Sequence, residues 1–298
     1  MTINQATDRR IEVTDELSAR LENLIRKVQG EMFVDLEAEL DALQLDNAGR
    51  IHYTASNMAL IRRIEIKVRQ VTAKGRQGLL SWIVDKALEI FGLNRLYFRI
   101  AAPAITEQVE DRVERLVMLR LGYDTQKNKI VAGGWLDTAF DIGGIARSVA
   151  QDMARAIAAK MALKVFRKQF RDAFISIKGQ GYVERHWKTV SFDLMQQVDR
   201  EAQNQFAETL ALPVALYSGT VKETTRPFCL ERVHQYYTRA EIVGWDKEQW
   251  AGKFRVGHNS LVHCGGYNCR HHLSWVSQEL IDVKKIEVNQ YNNISHNG

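Results

Sequence analysis

Leu210-Ala211-Leu212-Pro213-Val214-Ala215-Leu216-Tyr217-Ser218-Gly219 is the stretch at which the chain changes character. Upstream of it, apolar residues recur every three or four positions; over 214–219 they alternate, a short-strand pattern. Pro213 lacks the N–H that a helix interior needs, so the long helix predicted over 183–210 ends here. The chain is therefore expected to hold an elongated helical domain, 1–210, and a small α+β domain, 211–298. Mainly α, with an extended helical N-terminal part and a small α+β C-terminal domain, is the predicted fold class.

Working back from that boundary, only three prolines (Pro103, Pro213, Pro227) interrupt 298 residues, too few for a loop-rich all-β protein. A first helix is predicted from Thr14, where Thr14 or Asp15 caps a stripe of Leu17, Leu21, Leu24 and Val28. It is interrupted at Gly30, resumes through Phe33, Leu36, Leu40 and Leu43, and stops at Asn47-Ala48-Gly49. Further helices are expected over 57–71, 78–91 and 107–121, with Pro103 as punctuation. Leu96-Tyr97-Phe98-Arg99-Ile100 reads equally as a strand or a helix end. The glycine-containing segment 122–144 reads as loops, 145–177 as one long basic helix, and 179–181 as its break.

The net charge of +5 conceals a polarity. Residues 1–60 carry 6 Lys/Arg against 11 Asp/Glu, and 61–180 carry 22 against 12, while the remainder balances. Arg62, Arg63, Arg147, Arg155, Lys164, Arg167 and Lys168 are the candidates for contact with DNA or an acidic partner. A solvated helix face is the alternative for the same residues. No apolar run approaches the ~20 residues of a membrane span, and the N-terminus has no apolar signal core, so a soluble protein without a membrane partner is expected. Three cysteines (Cys229, Cys264, Cys269) make an odd set and argue against a disulfide scaffold.

The chemistry-bearing residues cluster late. Arg226-Pro227-Phe228-Cys229 and His263-Cys264-Gly265-Gly266-Tyr267-Asn268-Cys269-Arg270-His271-His272 bring soft and borderline ligands from two parts of the small domain. A structural zinc site drawn from Cys229, Cys264, Cys269 and His271 is one reading. Buried cysteines beside a hydrogen-bonded His and Arg, with no metal, is the other. A thiolate–imidazole pair of Cys229 or Cys269 with His234, His263 or His271 would make a nucleophile. His258, His263, Arg270 and Tyr267 would make a metal-independent nuclease site. No P-loop, GxGxxG, HExxH or GxSxG element accompanies them.

Read in order, Tyr217-Ser218-Gly219, Thr225-Arg226-Pro227-Phe228-Cys229, Tyr236-Tyr237-Thr238-Arg239-Ala240-Glu241-Ile242, Trp250-Ala251-Gly252-Lys253 and Gly265-Gly266-Tyr267-Asn268-Cys269-Arg270-His271 resemble the tailed-phage minor head proteins of the Mu F-like head morphogenesis group. The resemblance covers about residues 180–277. A single Cys stands where many relatives carry CxxC, and CRHH replaces a CRC ending. The resemblance implies a non-enzymatic virion component inside the capsid, present in several copies and assembled in the host cytoplasm. Its implied partners are the portal protein, the major capsid protein and, without sequence preference, packaged DNA. Head assembly and DNA packaging or delivery are the implied roles. A nuclease or toxin-like effector, or a zinc-stabilised nucleic-acid-binding module, are the competing expectations.

Overall fold

A computed structural model of the chain describes residues 2–102, 105–140, 142–174, 181–277 and Leu280, with backbone alone at 184–186 and 188–192. The punctuation expected at Pro103 and 179–180, the last residues of the helix expected to reach Ile177, and 281–298 lie outside the described residues. In chain order the elements are α1 (Ile3–Glu37), α2 (Ala55–Ala101), α3 (Glu107–Leu121), β1 (Tyr123–Asp124), β2 (Lys129–Ile130), α4 (Trp135–Ala139), α5 (Gly143–Ala158) and α6 (Leu163–Phe174). They continue with α7 (Tyr182–Thr209), β3 (Val214–Gly219), α8 (Pro227–Leu230), β4 (Gln235–Thr238), α9 (Arg239–Gly244), α10 (Ser260–His263) and β5 (His271–Val276). The protein is mainly α, with a small α+β region at its C-terminal end.

Two compact units divide these elements: Met1–Ala19, Val84–Gly134 and Phe192–Gly298 form one, and Arg20–Ile83 with Trp135–Ser191 form the other. This division departs from the boundary expected at Leu210. The reason is the burial of β5, an outer strand of the antiparallel sheet β4-β3-β5 whose six residues are all buried. Its outer edge is satisfied by side chains from helices: Gln203 accepts from Trp275 N–H at 3.1 Å, and Tyr97 donates to the Trp275 carbonyl at 2.8 Å. An edge strand paired in this way with α7 and α2 cannot be separated from them. Leu210 thus marks a change of secondary structure within one packed unit.

In the second unit, α2 runs without the predicted breaks near Gly75 and Gly78. Gly75 serves close helix packing instead, since a Cβ there would lie 2.6 Å from Val28 Cγ1. Phe33, Phe166, Phe170, Phe174 and Tyr182 form a buried ring cluster with centroids 4.8–6.3 Å apart. The helix predicted over 145–177 is two helices. Lys160 adopts φ 47°, and 161–163 extends to pair with the preceding turn, Ile51 N–H on the Met161 carbonyl at 2.8 Å and Leu163 N–H on the Gly49 carbonyl at 3.1 Å. Long-range backbone pairing here overrides a strong local helical pattern.

In the first unit, α3 matches its predicted span. Thr106 accepts the Val109 N–H at its start, and Gly122 closes it at φ 91°. The ambiguous 96–100 is helical, burying Asn94, Tyr97, Phe98 and Ala101 on one face of α2. A helix expected over 239–250 stops at Gly244 and continues as a 3-10 turn, Trp245–Lys247. Lys253 Nζ donates to the freed Asp246 and Glu248 carbonyls, both at 2.6 Å.

Candidate metal centre

β3 is the central strand of the small sheet, and β5 pairs with it so that Tyr217 faces Leu273 and Gly219 faces His271. Side chains alternate along a strand, so Tyr217 and His271, diagonal neighbours, share a face. Their rings stack at 5.2 Å with 4° between planes. Gly219 permits this approach, because a Cβ there would lie 2.6 Å from the Arg270 carbonyl oxygen. The same alternation sends His272 to the opposite face.

Cys229 arrives from α8, which Pro227 starts at its first turn. Cys269 precedes β5. Their sulfurs are 3.9 Å apart, Cys269 Sγ is 3.7 Å from His271 Nδ1, and the ligand atoms of Cys229, Cys269 and His271 all lie within 4.8 Å of one another. All three residues are buried. Two backbone N–H groups, from Gly265 at 3.3 Å and His271 at 3.5 Å, donate to Cys269 Sγ. His271 Nε2 is buried without a hydrogen-bond partner. Two sulfurs, an imidazole nitrogen beside them and N–H donors already aimed at one sulfur fit a thiophilic ion.

The electrostatics follow from burial and contact. Burial alone would raise Cys269, but hydrogen bonds with Cys229 and His271 and the Arg200 charge bring it well below the ordinary thiol range. Cys229 is pushed up by its hydrogen bond with Cys269 and by burial. Burial, then the neighbouring cysteines, holds the Tyr217 hydroxyl well above its usual range. Arg200, itself buried, donates from Nε to the His271 carbonyl at 2.9 Å and from Nη2 to the Cys269 carbonyl at 2.7 Å. It clamps the Cys269–His271 turn from α7 and makes no ion pair among the described residues.

Cys264 does not join the group, contrary to the four-ligand set drawn from the sequence. It caps α10 at φ 48°, and the chain meets the sulfurs with the backbone of the next residue, Gly265, instead. Burial pushes the Cys264 thiol up to about 12. Gly265 has no room for a side chain: a Cβ would stand 2.4 Å from Cys229 Sγ and 3.1 Å from Cys269 Sγ. Gly265→Ala should therefore destabilise the protein by about 1–3 kcal/mol through overpacking, which urea denaturation measures.

The other quoted motif pieces converge on this centre. Arg226 Nη2 donates to the Tyr267 carbonyl at 2.5 Å and packs on Gly252, where a Cβ would lie 2.5 Å from its Nε. Tyr267 N–H in turn donates to the Gly252 carbonyl at 2.9 Å. Phe228 stacks on Trp250 at 3.9 Å, and Trp245 packs edge-on against Phe228, Tyr217 and Tyr237.

His258 and His263, candidates for acid–base work, are tied into the stretch between α9 and β5, His263 as the last residue of α10. His263 Nδ1 accepts the Asn259 N–H at 2.9 Å, and burial with the His258 charge brings His263 down to about 4. Ser260 Oγ donates to Asp246 Oδ1 at 2.6 Å and lies 3.3 Å from His258 Nε2. Arg270 lies 3.8 Å from Asp15.

A buried network that sequence reasoning missed lies on the opposite face of β5. Asp199 receives Arg10 Nη1, Asn94 Nδ2 at 2.9 Å and the His272 Nδ1 contact at 2.5 Å. Arg10 Nη2 reaches Ser274 Oγ at 2.7 Å. The Arg10 and Asp199 side chains are both 0% exposed. Its Arg10 and Asp199 are 189 positions apart, so no local pattern signalled the network.

All seven basic candidates belong to the second unit, whose 20 Lys/Arg against 13 Asp/Glu leave it at +7 while the first unit carries −2. Arg155 pairs with Asp152 and Arg167 with Asp41, which neutralises two of the seven. Arg62, Arg63, Arg147, Lys164 and Lys168 are exposed and make no ion pair among the described residues. No helix among the described residues is long and apolar enough to cross a membrane. Comparison of the chain with protein-family models, curated proteins and solved structures finds no match.

Proposed function

We propose that this chain is a non-enzymatic head component of a tailed phage, similar to the Mu F-like minor head proteins. In this reading it resides in the virion, inside the capsid and beside the portal, and is assembled in the host cytoplasm. Portal protein, major capsid protein and packaged DNA are its partners, and it acts in head assembly and in DNA packaging or delivery. The observation that carries the reading is the ordered set of sequence pieces from Tyr217 to His271. Its support in three dimensions is that those pieces contact one another around Cys229, Cys269 and His271, as parts of a single module would. Their use is architectural: each conspicuous side chain holds a loop or a strand, and the cluster is closed in by buried residues.

In the same reading the cluster holds zinc. Two thiolates and an imidazole suit that ion, which supplies cross-linking of the loops and no redox chemistry. Mass spectrometry of purified virions, with cross-linking, tests the function. The protein is expected in mature heads with the portal as neighbour; its presence only in lysate, never in particles, contradicts the reading.

The unpaired cations of the second unit provide the DNA-binding charge. Such binding is sequence-independent and falls steeply with salt as phosphate counterions are released. Lys164→Ala with Lys168→Ala should lower the slope of log affinity against log salt by about 2, roughly one for each lysine–phosphate interaction removed. Fluorescence anisotropy across a salt series measures it; a slope unchanged in the double variant removes these residues from the interface.

A further inference from the structure

The three residues of the cluster leave a tetrahedral ion one donor short, and the residue that completes the set is not a cysteine, histidine or carboxylate. The geometry points to Tyr217 Oη as the fourth ligand of the metal held by Cys229, Cys269 and His271. This rests on the reading of the cluster as a metal site and adds a donor to it.

The distances carry the assignment. An ion with sulfur at ~2.3 Å and nitrogen or oxygen at ~2.0–2.1 Å sets tetrahedral edges of ~3.8 Å between sulfurs and ~3.5 Å from sulfur to the lighter donors. Here the sulfurs are 3.9 Å apart, and Cys269 Sγ is 3.7 Å from His271 Nδ1. Tyr217 Oη lies 3.4 Å from Cys229 Sγ and 3.8 Å from Cys269 Sγ. Four of the six donor–donor separations thus already lie within ~0.3 Å of the edges that an ion demands, and the ligand atoms of His271 and Cys229 are within 4.8 Å of each other. Cys264, the other donor close in sequence, is outside the group.

Rigidity and charge agree with this. Tyr217 sits on the central strand, stacked on His271 and packed edge-on by Trp245, so its oxygen is fixed without cost at the moment of binding. A divalent ion with two thiolates, one imidazole and one phenolate has a net charge of −1. The buried guanidinium of Arg200, hydrogen-bonded to the carbonyls of both Cys269 and His271, supplies the balancing charge. Binding displaces the Cys229, Cys269 and Tyr217 protons that are present, and they leave to solvent.

The test uses the full chain with Co(II) and Zn(II) as probes. Wild type should take up one Co(II) with the visible bands of a tetrahedral thiolate site, and Zn(II) should produce a tyrosinate difference band in the ultraviolet. Tyr217→Phe keeps the ring stack. It should retain the sulfur-to-cobalt charge-transfer band, show shifted and weaker ligand-field bands as water replaces the phenol oxygen, and lose the tyrosinate signal. A Tyr217→Phe cobalt spectrum superimposable on wild type overturns the assignment and leaves the metal site standing. Metal uptake by wild type with no tyrosinate band overturns it too, without need of a folded variant. Wild type that takes up neither ion overturns the metal site itself, and the fourth ligand with it.

Discussion

Asp199→Asn should remove about 3–5 kcal/mol from the unfolding free energy, because it strips the paired carboxylate from a fully buried arginine. Arg10 is held by Asp199 and Ser274 with no access to solvent, so an uncharged partner leaves its guanidinium without compensation. Asn94 Nδ2 also loses the anionic acceptor that it now donates to. Urea titration of wild type and variant measures the effect, and a loss below about 1 kcal/mol would show that the network is already neutral in the folded protein.

The same network makes the protein acid-sensitive. Burial opposes ionisation of Asp199, but Arg10 and His272 outweigh it and hold the carboxyl below its ordinary 3.8. As pH falls the unfolded chain takes up that proton first, so the stability Asp199 provides is whole above about pH 4 and lost below it. His272 is held below its ordinary 6.5, by burial first and against the attraction of Asp199. Unfolding therefore takes up a proton there as pH drops through about 6.5, again favouring the unfolded state. Both groups lower stability on the acid side, and Asp199→Asn should flatten the decline below pH 4.

Metal removal carries the second large expectation. Cys229 and Cys269 belong to segments 40 positions apart, joined across a region of short helices and loops. Ligation contributes on the order of several kcal/mol in such a setting, given apparent values of ~10–16 for zinc in small peptides. A strong chelator should lower the melting temperature of wild type, and Cys269→Ser should melt near the chelated wild type and ignore added zinc. If packing alone holds the cluster, Cys269→Ser costs only about 1–3 kcal/mol and chelator changes nothing.

Much of the secondary structure was legible because local signals agreed with the packing. The alternation over 214–219, the Thr106 cap and Gly122 stop of α3, and Pro213 after α7 all act within a few residues of the feature they specify. Misreadings arose where distant partners decide. Gly75 looks like a breaker until Val28 is seen against it, and the turn at Lys160 exists because 161–163 pairs with 49–51. The site was half legible. Cysteine and histidine crowding marked Cys229, Cys269 and His271, but spacing alone could not exclude Cys264, whose place is taken by the Gly265 backbone. His271 and His272 were separable in principle, since adjacent strand residues face opposite sides. Tyr217 stood out only as part of the strand and of the family-like pattern, and nothing in its spacing marked it as a donor.

Native mass spectrometry of the full chain, purified without chelator and then offered zinc, bears most directly on the metal-pinned module. One zinc per chain is expected in wild type and none in Cys269→Ser. A wild-type chain that keeps its metal-free mass after zinc is added, while remaining folded, would contradict it.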